Sequence, residues 1–330
     1  MTSVRPSVEL VSTGRSLPDR VLTNKDLEGM VETSDEWIRE RTGIRERRIA
    51  AEGTLTADLG ATAAEIALSR AEVPPEEVDI LLLSTATPDR WLPSTSCDIQ
   101  SKVGATNAFA SDLHAACSGF LYNLSLAEAY LAMGRGEVAL VIGAEVMSSI
   151  IDWEDRATCV LFGDGAGAAV LRRSDTGRGI LANDFGSDGT LADLLCRPAG
   201  GVQAPLDKER LIQKDHLVHM SGREIFKAAV RAMADSSARA LEKAGLTPDD
   251  VDLMVPHQAN IRILEATARY AGIPMEKVYV NLDRYGNMSS ATIPVALDEC
   301  LEQGLIKPGS VVLSAAFGAG LTWGATVFQF

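Results

Sequence analysis

Only four histidines and five cysteines occur among the 330 residues, and no two cysteines stand in C-x-x-C spacing. An odd set of cysteines (Cys97, Cys117, Cys159, Cys196 and Cys300) gives neither a disulfide framework nor a zinc site, which fits a reducing cytosol. His216 and His219 have the spacing of a metal pair, but no acidic or thiol third ligand is suitably placed nearby, so no metal is expected. No run of about 18 apolar residues occurs, and residues 1–20 lack the apolar core of a signal peptide, so the sequence predicts neither a membrane span nor export. Positive charge is scarce: 31 Lys and Arg face 45 Asp and Glu, for a net charge of −14. That balance excludes a general attraction to nucleic acid or to an anionic membrane, and an acidic partner would need a local basic patch.

What is abundant is apolar surface, 46% of the residues, on a chain longer than one core usually serves, so two core units or a duplicated fold are expected. Residues 8–13 read as a strand, and helix starts follow at Thr23-Asn24-Lys25-Asp26 and Thr33-Ser34-Asp35-Glu36. An amphipathic helix over 56–71 ends at Pro74-Pro75. The unbroken apolar runs at 78–86 and 138–144 are those of strands buried on both faces. Between them lie a helix near 96–103 and a strand near 108–113, and this alternation indicates an α/β architecture. Residues 197–208 read as a mobile surface loop.

The order then repeats. Pro75-Glu76-Glu77-Val78-Asp79-Ile80-Leu81 matches Pro248-Asp249-Asp250-Val251-Asp252-Leu253-Met254, and Gly136-Glu137-Val138 matches Gly309-Ser310-Val311, both at an offset of 173. One offset shared by two separate matches argues for an internal duplication, with halves 1–174 and 175–330.

Cys117 stands among small residues, Ala115-Ala116-Cys117-Ser118-Gly119, ahead of an apolar run at helical spacing (Phe120, Leu121, Leu124, Ala127, Leu131). It reads as the first residue of a buried helix, where free N–H groups and the helix dipole lower a thiol's pKa and offer donors to an oxyanion. The alternative is a buried, inert cysteine. The 173-residue offset carries Cys117 onto Ser290, three residues after Asn287, so the two halves would bring Cys117 and the turn Tyr285-Gly286-Asn287-Met288-Ser289 to one pocket. His257 follows the strand beginning at Val251 and precedes a helix beginning near Ile261, a strand end where α/β folds keep ligands; a purely structural histidine is the other reading.

Three further motifs carry alternatives. Phe162-Gly163-Asp164-Gly165-Ala166-Gly167 has a dinucleotide-loop look, but Ala169-Val170-Leu171 continues it as strand, so tight backbone packing accounts for its glycines. The arginines between Arg41 and Arg48 form either a solvated face or a phosphate site with Trp37 to stack on a base. Phe317-Gly318-Ala319-Gly320 is able to bring a backbone N–H to a ligand, where with the Cys117 N–H it would form an oxyanion hole.

Taken with Arg41-Thr42-Gly43-Ile44-Arg45, Pro256-His257-Gln258-Ala259-Asn260 and Leu321-Thr322-Trp323-Gly324, these stretches resemble, in order and nearly end to end, the β-ketoacyl-acyl carrier protein synthase III family of thiolase-like condensing enzymes. The resemblance implies a thiolase-like α/β fold, two similar halves in a layered αβαβα arrangement, and a cytoplasmic homodimer without cofactor. It implies decarboxylative condensation of an acyl-CoA starter with malonyl-acyl carrier protein, initiating fatty acid synthesis. Cys117 would be the acylated nucleophile, His257 and Asn287 would hold the malonyl thioester carbonyl, and the N–H groups of Cys117 and Ala319 would hold the oxyanion. Elongating relatives have a second histidine where Asn287 stands, which points to the initiating class. The coenzyme would meet Thr33, Trp37, Arg41, Arg156, Gly222, Phe226, Ala259 and Asn260, and the carrier protein Gln258, Arg262 and Lys227. Two positions depart from relatives: Arg223 replaces an asparagine near the channel mouth, and Leu92 replaces a phenylalanine that closes the acyl pocket across the dimer. Beside this reading stand a secondary-metabolite acyltransferase of the same family, a silent thiolase-fold subunit and, distantly, a nucleotide-dependent dehydrogenase.

Overall fold

The computed structural model describes residues 7–330. Its first sheet contains β1 (Ser7–Ser16), β2 (Ile80–Ser84), β3 (Phe109–Leu113), β4 (Val138–Val146) and β5 (Asp164–Ser174), in the spatial order β1-β5-β4-β2-β3. β1, β5 and β4 pair antiparallel, whereas β4, β2 and β3 pair parallel. The second sheet contains β6 (Gly179–Ser187), β7 (Leu253–Met254), β8 (Val311–Gly318) and β9 (Thr322–Gln329), in the order β6-β9-β8-β7. Its pairing senses match those of the first, and a parallel bridge from Met254 to Val278 stands where β3 stands there.

The offset seen in the sequence is therefore an offset in structure. The single turn Pro75–Glu77 recurs as Pro248–Asp250, β4 begins 173 residues before β8, and α4 (Gly119–Ala132) begins 173 residues before the helix at Thr292. Even the backbone strain repeats: Ala116 and Ser289, 173 apart, have φ of +46° and +47°.

Alternation of side chains across each strand divides the apolar residues into three layers of core. One face of the first sheet (Leu81, Leu83, Leu140, Ile142) packs on α2 (Thr56–Arg70) and α3 (Thr95–Val103), which follow α1 (Asp35–Thr42) in the chain. The outer face of the second sheet (Leu313, Ala315, Phe317) packs on α5 (Gly222–Ala244) and α6 (Ile261–Ala271). Between the sheets lie α4 and α7 (Thr292–Glu302), with Phe120, Leu124, Ile293 and Leu297 against Leu82, Val141, Val312 and Phe328. The result is five layers, αβαβα, and the central helices are apolar because sheets cover them on both sides. Residues 200–207 lie outside any helix or strand, as the loop reading expects.

The halves meet backbone on backbone. A Cβ on Gly143 in β4 would lie 2.4 Å from the Ser290 carbonyl oxygen, and one on Gly167 in β5 would lie 2.8 Å from the Val295 nitrogen. Gly143→Ala is expected to destabilise the protein by about 1–3 kcal/mol, whereas Gly189→Ala, where a methyl meets nothing within 4 Å, leaves stability unchanged. Urea unfolding midpoints of the two variants check this.

Candidate active site

Cys117 lies in the single turn Ala116–Ser118 that leads into α4, two residues before the first residue of that helix. It is buried, with Sγ 3.5 Å from the Ser289 hydroxyl of the other half. The expected lowering of its thiol pKa is overturned: burial dominates and pushes the thiol up to about 12. The β8–β9 hairpin closes over this turn. A Cβ on Gly318 would lie 2.8 Å from the Cys117 nitrogen, which only glycine avoids. The Thr322 hydroxyl donates to the Ala115 carbonyl at 3.1 Å, and Ser118 Oγ donates to the Thr322 carbonyl at 3.0 Å.

His257 continues the line of β7 beside β8, its N–H donating to the Ala315 carbonyl at 2.8 Å. Its Nδ1 is 2.6 Å from the Thr292 hydroxyl at the start of α7. Burial lowers the imidazole pKa to about 3, so the ring is neutral at physiological pH. The Thr292 hydroxyl has one proton and two acceptors in reach, Nδ1 and the Ser289 carbonyl at 3.0 Å: given to Ser289 it makes Nδ1 the donor and leaves Nε2 bare, and given to Nδ1 it puts the ring's own proton on Nε2.

Asn287 is clamped by the first half: its N–H donates to the Leu161 carbonyl at 2.8 Å, and its carbonyl accepts from Gly163 at 3.1 Å. The glycines of the false dinucleotide motif make room for this contact, because a Cβ on Gly163 would lie 2.4 Å from the Tyr285 carbonyl oxygen. Asn287 Oδ1 accepts from the Ser289 N–H at 2.8 Å, which fixes the amide and leaves Nδ2 as the free donor.

Cys117, His257 and Asn287 line one cavity of about 720 Å³. Phe226, Gly222, Ala259 and Asn260 line it too, and exposed Arg41, Arg223, Lys227 and Arg262 surround its mouth. Four cations at one opening form the local basic patch that a chain of net charge −14 would need for an acidic partner. Trp37 also lies at this opening, with the guanidinium of Arg156 4.7 Å and that of Arg41 5.7 Å from its ring centre. A second cavity, about 450 Å³, reaches Cys117 from the side of Ala319, Gly320 and Met147.

Several expectations need correction. Gln258 is fully buried: its Nε2 donates to the carbonyls of Pro256 and Tyr279, and its Oε1 accepts from the Asn281 N–H, so it presents nothing to a carrier protein. Of the arginine cluster, Arg47 is buried and donates to the Leu22 and Val160 carbonyls and to Asn24 Oδ1, which removes it from any phosphate site. Asn260 lines the cavity but spends its side chain on the Arg41 carbonyl and the Arg262 N–H. Thr33 is half-buried, off the cavity lining, with an unpaired Oγ1. Leu92 is 86% exposed and lines neither cavity within its own chain. Sequence reasoning missed Thr292 and Ser289; the repeat places Ser289 opposite Ala116, but which hydroxyls reach the cysteine and the imidazole depends on how the halves pack.

Family models for 3-oxoacyl-[acyl-carrier-protein] synthase III match residues 111–189 and, for its C-terminal part, 241–330. The β-ketoacyl-[acyl-carrier-protein] synthase III of Natranaerobius thermophilus is 49% identical over 98% of this chain and 99% of its own. Among solved structures, the 3-oxoacyl-[acyl-carrier-protein] synthase III of Aquifex aeolicus is 47% identical, with TM-score 0.90 over 98% of this chain and 100% of that one. The priming β-ketosynthase of the R1128 polyketide pathway is 34% identical, with TM-score 0.92 over 100% of this chain and 98% of that one.

Two outcomes follow from the imidazole. The pKa of His257 falls from an ordinary 6.5 to about 3 on folding, so its neutral form contributes stability that is complete above pH 6.5 and is lost as pH falls towards 3. The difference in unfolding free energy between the wild type and His257→Gln is expected to move in that direction across this window. Thr292→Val, which leaves the ring without its partner, is expected to cost about 1–3 kcal/mol of stability.

Proposed function

The chain belongs to the 3-oxoacyl-[acyl-carrier-protein] synthase III family, and we propose that Cys117, His257 and Asn287 divide its condensing reaction between two half-reactions in one cavity. The family's activity is acyl transfer with decarboxylative condensation: an acyl-CoA starter and malonyl-acyl carrier protein give a β-ketoacyl-carrier. The observation that carries the division of roles is convergence, since a thiol from the first half and an imidazole and amide from the second line the same cavity.

In the first half-reaction Cys117 sulfur attacks the acyl-CoA carbonyl, the bond from that carbon to coenzyme sulfur breaks, and an acyl-cysteine remains. Negative charge on the carbonyl oxygen falls to backbone N–H groups, those of Cys117 and Ala319, with Gly318 allowing the β8 end to approach the Cys117 nitrogen. In the second, malonyl-carrier loses carbon dioxide, and the enolate oxygen is held by two neutral donors, His257 Nε2–H and Asn287 Nδ2–H. Neutral donors suit this step: they stabilise an oxyanion without protonating it, and a ring that charges only near pH 3 remains neutral throughout. The enolate carbon attacks the acyl-cysteine, and the thiolate leaves. Both substrates arrive as thioesters, so the chemistry needs no resident cofactor or metal.

The mouth fits both pantetheine carriers. Arg41, Arg223, Lys227 and Arg262 would meet coenzyme phosphates in the first step and an acidic carrier protein in the second, with Gly222, Phe226 and Ala259 along the pantetheine arm. Trp37 would stack on adenine after Arg156 moves off its face. Leu92 beside Trp91, 86% and 69% exposed, would be covered in a homodimer and there border the partner's acyl pocket. A cytoplasmic setting suits five unpaired cysteines.

The likeness to a priming polyketide ketosynthase favours a second reading, priming of a secondary-metabolite pathway by the same chemistry. A panel of acyl-CoAs of varied length and branching, each with malonyl-carrier, distinguishes the two by preferred starter. Cys117→Ser is expected to lose acylation and condensation together. His257→Ala and Asn287→Ala keep acyl-cysteine formation, read by intact-protein mass, and lose carbon dioxide release by about 10²-fold or more. Equal loss of acylation in His257→Ala and Cys117→Ser would overturn the division.

A further inference from the structure

The halves repeat so closely that the reacting trio has a counterpart within the same chain. Ile80 pairs with Ala139 in the first sheet and Leu253 with Val312 in the second, so the strand register keeps the 173-residue offset that the helices show. That offset puts Ser290 in the place of Cys117, Ser84 in that of His257, His114 in that of Asn287 and Glu145 in that of Gly318. The counterparts form no site. Hydroxyls stand for the thiol and the imidazole, both of them buried, and His114 is exposed on the second cavity.

The fourth pair differs most. Gly318 has no side chain, which is what lets it lie against the Cys117 nitrogen. Glu145, at the same place in β4, instead sends a buried carboxylate to Ser290: its Oε1 lies 2.8 Å from Ser290 Oγ and 3.4 Å from the Ser290 nitrogen. The N–H that corresponds to the proposed oxyanion donor of Cys117 is thus directed at one of the protein's own carboxylates. Glu145 Oε2 accepts from the Ala86 N–H and the Thr87 hydroxyl, each at 2.9 Å, and from the Thr85 hydroxyl at 3.2 Å. Ser290 Oγ is also 2.8 Å from the Ser84 carbonyl oxygen, so this one hydroxyl ties the second half to both β2 and β4.

We infer that the first half holds a filled-in counterpart of the active site, and that Glu145, which fills it, is a positioning residue for Asn287 acting through Ser290. The inference rests on the proposed role of Asn287 in decarboxylation. The two half-reactions have separate supports. The Cys117 turn is tied to the β8–β9 hairpin, by Thr322 to the Ala115 carbonyl and by Ser118 to the Thr322 carbonyl, and Glu145 takes no part in those bonds. The Asn287 amide is oriented by the Ser289 N–H, and Ser290 is the next residue in the chain. Anchoring Ser290 on Glu145 and Ser84 therefore fixes the peptide that holds the amide. Released from that anchor, Nδ2 drifts from the position where the enolate oxygen needs a donor, and a misplacement of about 1 Å costs on the order of 10²-fold in rate.

This role uses the shape of the Glu145 side chain and its hydrogen bonds, not its charge. In Glu145→Gln the amide N–H donates to Ser290 Oγ, the Ser290 hydroxyl gives its one proton to the Ser84 carbonyl, and the amide oxygen accepts from the Ala86 N–H. Glu145→Ala makes none of these bonds and leaves the Ala86 N–H unpaired. Ser290→Ala cuts the same link from the other side while Glu145 keeps its first-half partners, so it carries the test where Glu145→Ala does not fold.

The experiment measures single-turnover acylation by an acyl-CoA, read by intact mass, and carbon dioxide release from saturating malonyl-carrier by preacylated enzyme. Expected in Glu145→Ala and Ser290→Ala is carbon dioxide release about 10- to 10²-fold slower, with acylation unchanged, and recovery of most of the rate in Glu145→Gln. Release at the wild-type rate in Ser290→Ala overturns the inference, and so does an equal fall in both half-reactions, which marks a general structural role. Glu145→Gln as slow as Glu145→Ala also overturns it, since the charge would then be what matters. Wild-type release by Asn287→Ala instead removes the reading of Asn287 itself, so the two failures are distinguishable.

Discussion

Contact between the two halves without side chains between them is the constraint on which the site depends. The first half offers glycines at 143, 163 and 167, and the second half lays the backbone of its turn over residues 285–295 directly on them. Packing at this distance leaves no slack to be taken up by a rotamer, so the turn that carries Asn287 and Ser289 is located by main chain on main chain. Hydrogen bonds from Asn287 to Leu161 and from Gly163 to Asn287 add direction to what sterics position. The proposed catalytic constellation is thus held by rigid neighbours rather than by its own contacts, which is what a reaction needing sub-ångström placement requires.

Much of this was legible in the chain. The unbroken apolar runs gave strands covered on both faces because a strand between two helical layers has no polar side, and the single offset of 173 gave the second sheet its order. The glycine motif at 163–167 was separable from a nucleotide loop because the residues after it continue as strand instead of opening a helix, and the structure adds what those glycines accommodate. Cys117, His257 and Asn287 were identifiable from their motifs, and the structure places all three on one cavity.

What escaped were features set by burial and by packing between distant segments. A cysteine before a helix reads as activated, and only the surrounding layers reveal the burial that raises its thiol pKa. Gln258 adjoins His257 in sequence, but alternation along the strand end turns it inward to the Asn281 backbone. Arg47 belongs to a run of arginines that looks solvated, and its carbonyl partners at Leu22 and Val160 come from segments 25 and 113 residues away. No local pattern encodes such pairings.

On the proposed reading, the contact between Arg156 and Trp37 bears differently on the two substrates. Coenzyme and carrier protein present the same pantetheine arm, but only the coenzyme ends in a purine that competes with the guanidinium for the indole face. On the proposed reading a carrier-borne thioester slides past a closed stack, whereas a coenzyme-borne one has to prise it open and is repaid by adenine contact. On that reading the pair of side chains would work as a turnstile that tells one vehicle of the acyl cargo from the other.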